Sequence, residues 1–213
     1  MGKPTLPLIL AALTVCCYAS ANDTIKSTDI MIAGGTSVAG VSDSKTRYGQ
    51  FREPGMIVTQ NGRIVILAQA RDHSGWSDRS GQDLVVRYSD DYGRTWSKVG
   101  IAASTGDFSL CPNAIVYDND TDQIHCLYNL FLWDFNLGSK GRSELVKSGD
   151  LEKECKQFHI VSKDGGETWS EPHEITEMLG NNVGAIAVFG SGRGIQLKHG
   201  KHAGRLCIPG GKR

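Results

Sequence analysis

The sequence predicts an all-β chain assembled from repeated short sheets, and three observations carry that prediction. Apolar, β-branched runs of strand length alternate with turn signals from Tyr48 to the last residues. Glycine, at 26 residues, falls mostly where those runs end. One eight-residue pattern, Ser-x-Asp-x-Gly-x-Thr-Trp, is written twice, as SDDYGRTW from Ser89 and SKDGGETW from Ser162, 73 residues apart (162 − 89). A strand and fixed turn that recur at a period of several tens of residues point to radial repetition, a β-propeller.

The elements follow in chain order. Residues 1–21 read as a secretory signal peptide: Lys3, an apolar run from Leu6 to Cys17, then Ala19-Ser20-Ala21, with cleavage predicted before Asn22. The run is too short for a bilayer, which takes about 20 apolar residues, so no stable membrane insertion is expected after cleavage. In the mature part, 22–213, GMIVTQNGRIVILAQA is a hairpin whose Asn61-Gly62 pair predicts a type I′ turn. DLVVRYS is a strand running into the first repeat. NAIVYDNDTDQIHCLYNLFL is a second hairpin turning at Asp118 to Asp122. KQFHIVS then runs into the second repeat as DLVVRYS runs into the first. GAIAVF, GIQLKHG and GRLCIPG continue the strand pattern, and only Ser143 to Leu151 and Glu174 to Leu179 suggest short helices.

Within each repeat the residue types have mechanical reasons. Ser89 ends a strand, and Asp91 is placed to accept backbone N–H bonds inside the turn. Gly93 can take a backbone conformation closed to other residues. Thr95 returns to extended structure, and Trp96 offers an apolar plate for packing. Ser162, Asp164, Gly166, Thr168 and Trp169 repeat the set. These residues read as structure, with no chemistry in the turn.

Charge is balanced at 23 basic and 23 acidic residues, without a basic stripe, which argues against a nucleic-acid partner. No HExxH or CxxC occurs and the histidines are scattered, so neither a metal nor a cofactor is expected. Four of the six cysteines lie beyond the leader, Cys111, Cys126, Cys155 and Cys207. They leave three disulfide pairings, or free thiols, open. Asn22 and Asn119 head possible glycosylation triplets.

The doubled turn resembles the Asp-box of the exo-α-sialidases, and FREPGMIV (Phe51 to Val58) is similar to that family's Phe/Tyr-Arg-Ile-Pro motif. As in the family, a hairpin ending in Arg71, a polar loop, a strand and the first Asp-box follow. The resemblance runs from Tyr48 to Gly211 and implies a six-bladed propeller of sialidase type, of which this chain would hold about the first three blades. On that reading 22–213 is the N-terminal part of a longer enzyme. The Tyr nucleophile, its Glu partner and two further arginines would lie beyond Arg213. Glu53 departs from the motif, standing where Ile is usual, either to orient Arg52 or to weaken substrate binding. Cys111 stands near where some bacterial relatives carry a pocket Asp.

The resemblance also implies the site. Arg52 would grip the substrate carboxylate, which a guanidinium does bidentately, and Arg71 would contact ring substituents. The loop DHSGWSDRSGQD offers Asp72, Asp78 and Asp83 as general acid. Asp78 falls where the family's acid/base Asp falls when the Asp-boxes are aligned, Asp72 is the runner-up, and Asp83 heads a strand and should point away or cap. The expected function is a retaining exo-α-sialidase acting on sialylated glycoproteins, glycolipids or oligosaccharides outside the cytosol. A non-catalytic glycan- or protein-binding propeller is the alternative, and a hydrolase of neutral sugars, which has no use for Arg52, is the third.

Overall fold

A computed structural model describes residues 29–32, 35–43, 47–72, 81–104, 106, 108–131, 155–179, 188–189 and 192–211. Nearly all of their regular structure is strand. The first sheet has the order β1 (Tyr48–Val58), β2 (Ile64–Asp72), β3 (Gln82–Ser89), β4 (Gly100–Ser104), every neighbour antiparallel. The second repeats this up-and-down plan with β5 (Ser109–Asp118), β6 (Gln123–Phe131), β7 (Cys155–Ser162) and β8 (His173–Glu174). Four short strands then form two pairs: β11 (Ile195–Gln196) with β12 (Leu206–Cys207), and β9 (Val188–Phe189) with β13 (Gly210–Gly211). β10 (Gly192–Arg193) runs parallel to β5 on the free side of the second sheet. Glu174–Leu179, a suggested helix, holds one 3₁₀ turn at Glu177–Leu179, while Ser143–Leu151 lies outside the described residues.

The apolar residues of the first sheet divide by parity, as a strand's period of two requires. Val65, Leu67, Leu84 and Val86 face the second sheet and meet Ile115, Ile124, Cys126, Tyr128 and Ile160 in the main core. Ala68, Ala70 and Val85 face the other way and pack on Tyr48, Val38 and Val99. Each large side chain so buried contributes about 1.5–3 kcal/mol, which makes the face between the sheets the main source of stability. Gly55 sets the approach of the innermost strands: a Cβ there would stand 2.7 Å from both the Gly192 carbonyl oxygen and the Ile115 side chain. Cys126 is a buried free thiol within this core and Cys207 a half-buried one.

The β1–β2 turn differs from expectation. Gly62 has φ of 87°, but Asn61 does not share the left-handed region. Gly62 N–H donates to the Thr59 carbonyl at 3.0 Å, and Arg63 N–H donates to the Asn61 side chain at 3.3 Å. The loop is therefore a right-handed turn closed by one left-handed glycine, and the Asn61 side chain caps it. This is the common three-residue solution rather than the two-residue type I′.

Both repeats fold into the same knot. Ser89 Oγ donates to Asp91 Oδ1 and accepts from Gly93 N–H, each within 2.9 Å, while Asp91 takes the Thr95 N–H at 2.8 Å and the Thr95 hydroxyl at 2.7 Å. Ser162, Asp164, Gly166 and Thr168 reproduce all four bonds. The likeness extends past the tryptophan: Ser97 and Ser170 each close back onto the strand, at Tyr88 and Val161. Trp169 packs against the main core, and Trp96 donates its indole N–H to the Gly93 carbonyl.

The turn needs two successive left-handed residues. The second repeat supplies Gly165 and Gly166, but the first uses Tyr92, at φ of 61°, before Gly93. Tyr92 is 81% exposed, so little packing offsets the strain. Tyr92→Gly should stabilise the protein by about 1 kcal/mol, seen as a raised Tm, whereas Gly165→Tyr should lower it.

Hydrogen bonds from Thr95, backbone first, hold the Asp91 carboxyl at about 2, below its ordinary 3.8. A carboxyl held low stabilises the fold above its unfolded value and stops doing so as pH falls through its folded one. Part of the acid unfolding should therefore fall between pH 3.8 and about 2, and in Asp91→Asn that part should be missing from a pH series of melting curves.

The hairpin tip also joins the sheets. Arg63 makes two bonds to Asp90, at 2.6 and 3.0 Å, and a third at 2.9 Å to Glu167 of the second repeat. It also reaches the Asp164 carbonyl at 3.3 Å and lies 4.2 Å above the Tyr88 ring. Beside it, Gln60 bonds to the Tyr117 hydroxyl and the Asn119 carbonyl of the second sheet's tip. Gln196 of β11 repeats the device one step on, its amide joining Asn119, Asp118 and Asp120.

One pair breaks the correspondence between the sheets. Pairing Ile64 with Ser89 and Ile124 with Ser162 matches Val65 to His125 and Val86 to His159. The two imidazoles are nearly parallel, and His125 Nδ1 and His159 Nε2 meet at 3.0 Å, a bond in which only one of the two nitrogens carries the proton. Asp118 lies near His125, and His173 stands opposite His159 on β8. Burial pushes both histidines below their ordinary 6.5, with Asp118 opposing it at His125 and the neighbouring histidines adding to it at His159. Stability from the neutral pair is present above pH 6.5 and lost as pH falls below it. The double variant His125→Val/His159→Val, which copies the first sheet, should hold its Tm between pH 7 and 5, a range over which the natural protein's Tm declines.

Candidate active site

The two ends of the sheets differ in chemistry. Ser89 pairs with Ile64 and Ser162 with Ile124, so both knots close the same end of their sheets, and Arg63 joins them there. At the opposite end the apolar strands turn polar while staying buried: Gln69, Arg71, Gln82 and Asp83 in the first sheet, Ser109, Asn129 and Gln157 in the second. Buried polar groups of this kind cost free energy unless bonded. Their concentration at one end sets that end apart from the knots as the candidate site. In the sequence they show as polar interruptions of apolar strands, in ILAQAR, CLYNLF and CKQF.

Arg52 and Arg71 both come to this end on adjacent strands. Arg52 stands opposite Gln69, and Arg71 opposite Gln50. Arg52 is exposed and borders a recess of about 440 Å³ with Phe51, Pro54, Met56, Ile66 and Ala68. Arg71 is 2% exposed. Its Nη2 donates to Gln69 Oε1 at 3.2 Å and lies 3.6 Å from a Glu53 carboxylate oxygen. Glu53 thus turns to Arg71, where the sequence suggested Arg52. Gln50 Oε1, opposite Arg71, is buried and accepts no hydrogen bond from the described residues.

Asp83 is held as a strut. It accepts from the Tyr48 hydroxyl and from Ser104 Oγ at 2.5 Å, with Arg47 at 3.7 Å, and is 1% exposed. Burial, then the Asp83 bond, pushes the Tyr48 phenol above its ordinary range. Buried and bonded through both oxygens, Asp83 anchors the start of β3. Asp72 ends β2, and Asp78, with His73 and Trp76, lies outside the described residues. β2 ends at Asp72 and β3 begins at Gln82, both at the polar end. Cys111 lies in β5 beside the bulge between Leu110 and Asn113. Among the described residues no cluster of three or more His, Cys, Asp or Glu side chains could hold a metal, and no helix is long and apolar enough to cross a membrane.

The model of the BNR/Asp-box repeat matches residues 87–98 and 160–171, the two knots described above. Among solved structures the chain is similar to the leech intramolecular trans-sialidase complexed with 2,7-anhydro-Neu5Ac, at TM-score 0.66 and 14% identity over 89% of this chain and 43% of that one. It is also similar to the intramolecular trans-sialidase from Ruminococcus gnavus, at TM-score 0.64 and 15% identity over 78% and 56%. This chain has the sialidase-type β-propeller fold with Asp-box repeats. Among curated relatives, it is 26% identical to a sialidase of Bacteroides fragilis over 159 residues, and 26% identical to an exo-alpha-sialidase of Aspergillus fumigatus over 178 residues. These alignments take in 70% and 76% of this chain but only 29% and 41% of the relatives. The chain thus spans about three tenths and two fifths of the length of these two relatives.

Proposed function

We propose that the protein is a retaining exo-α-sialidase, to which this chain contributes the carboxylate grip and the general acid. The observation that carries the reading is the pair of guanidinium groups at the buried polar end of the first sheet, one open to a recess and one fixed by Gln69 and Glu53. A sialic acid bears a carboxylate on its anomeric carbon, and an exposed arginine beside an apolar recess suits an anionic group attached to a sugar ring. Asp78, between β2 and β3 in the sequence, gives its proton to the departing glycosidic oxygen. A Tyr nucleophile, which the family resemblance implies, fits a centre that already carries a negative charge. A carboxylate nucleophile would be repelled there. Terminal sialic acids of glycoproteins, glycolipids or oligosaccharides are the substrates. The leader-like residues 1–21 support a site of action outside the cytosol.

The test is leaving-group dependence in the full-length protein. A sugar alkoxide needs a proton to depart and an aryl oxide hardly does. Asp78→Asn should therefore lose about 10²–10⁴-fold in kcat/KM on sialyl-oligosaccharides and far less on an aryl sialoside. Asp72→Asn should depress both equally; the reverse pattern moves the acid to Asp72. Arg52→Ala should lose about 2–5 kcal/mol of binding to the sialic acid and nothing for a carboxylate-free analogue, and an equal loss for both ligands would make Arg52 scaffolding.

A further inference from the structure

Glu53 departs from the motif around it, and the structure gives it a partner. β1 carries a bulge between Arg52 and Gly55. Inside it Glu53 holds φ of 51°, a left-handed conformation for a residue with a Cβ. That conformation is unfavourable for a residue with a Cβ and persists where surrounding contacts fix it. A bulge re-aims side chains, and this one parts two neighbours. Arg52 opens to the recess, and Glu53 turns toward β2. There one Glu53 oxygen lies 3.6 Å from Arg71 Nη2 and the other accepts from Gln69 Nε2 at 3.2 Å. Gln69 Oε1 accepts from the same Arg71 nitrogen, so the three side chains close a ring. The Glu53 side chain is 23% exposed and that of Arg71 2%, which places the carboxylate nearer to solvent than the guanidinium it faces.

We propose that Glu53 is a positioning residue that sets both the orientation and the charge of Arg71 for bound substrate. The ring with Gln69 leaves the guanidinium one orientation. The carboxylate, close to Nη2, repels a second carboxylate or phosphate from that position. Arg71 then serves neutral polar substituents of the sugar, and of these two arginines only Arg52 takes the anionic group. The two arginines, alike in sequence, are thereby given different ligands. This assignment rests on the sialidase reading for the identity of the sugar; the charge relation between Glu53 and Arg71 does not.

The experiment is a double-mutant cycle in the full-length protein with two readouts. Glu53→Gln is isosteric and still accepts the Gln69 bond, so it removes charge and leaves shape. It should tighten the binding of inorganic phosphate by about tenfold, the usual scale for one charged contact, as seen by calorimetry. It should also raise KM for an aryl sialoside severalfold while kcat stays within about twofold. Combined with Arg71→Met, Glu53→Gln should change neither quantity further. If Arg71→Met does not fold, Arg71→Lys, which keeps charge without the fork, should retain the phosphate effect and lose the KM effect. Undiminished Glu53→Gln effects in the Arg71→Met background, or unchanged phosphate binding and KM in the single variant, would overturn the proposal. A natural protein without turnover on sialosides would overturn the sialidase reading, and the phosphate cycle would then decide the role of Glu53 on its own.

Discussion

The guanidinium of Arg63 sits where two otherwise separate sheets have to agree on their relative position. It grips Asp90 beside the first knot with a two-point fork and reaches Glu167 and two backbone carbonyls of the second. Apolar burial between the sheets is the larger energy, yet it is non-directional. A planar fork with a stacked ring beneath it is directional. The core thus brings the sheets together, and Arg63 with Gln60 fixes which rung meets which. Exposed ion pairs taken singly are worth about 0–1 kcal/mol. The contribution of Arg63 lies in serving several acceptors from one half-buried position.

The knots explain how one end of each sheet is relieved of other duties. A strand that ends in Ser-x-Asp-x-Gly-x-Thr satisfies its turn with its own side chains, and the Asp91 and Asp164 carboxyls are spent on Thr95 and Thr168. With that end closed, the polar groups at the other end can be arranged for a ligand. Gly166 shows how tightly the repeats nest: a Cβ there would stand 3.0 Å from Val65 on the neighbouring sheet. Where the first sheet offers Val65 and Val86 to that turn, the second has His125 and His159. That position in the second sheet therefore carries a pair whose charge responds to pH.

The polar end follows a different economy. Gln69, Asn129 and Gln157 are fully buried in strands that elsewhere bury Val65, Leu67, Ile124 and Ile160. A buried polar group is kept at least cost where it is bonded, and at two places in the first sheet such bonds hold charged groups. Gln69 holds Arg71 and Glu53 together, and Tyr48 with Ser104 holds Asp83. The carboxylate at 83 is consumed in fixing the strand that leads to the first knot.

Period-two alternation, turn residues and a doubled pattern were enough to read an all-β repeat fold, because each reflects local backbone sterics. The boundaries of both hairpins and both knots follow from them. Arg52 and Arg71 were legible as a pair because the motif and the hairpin place them on adjoining strands. Composition could not say which arginine Glu53 would face. That depended on a bulge and a left-handed φ, which place neighbours in sequence on opposite sides of a strand. Nor could it give the type of the first turn, decided by the Asn61 side chain bonding within the loop. The Arg63 bridge spans over a hundred residues of chain, and the histidine bond depends on the register of β6 against β7. Sequence alone determined the repeating unit, since its turns are satisfied from within. The tertiary structure decided how the units meet and which charges are paired, since those bonds join residues that only the packed sheets bring together.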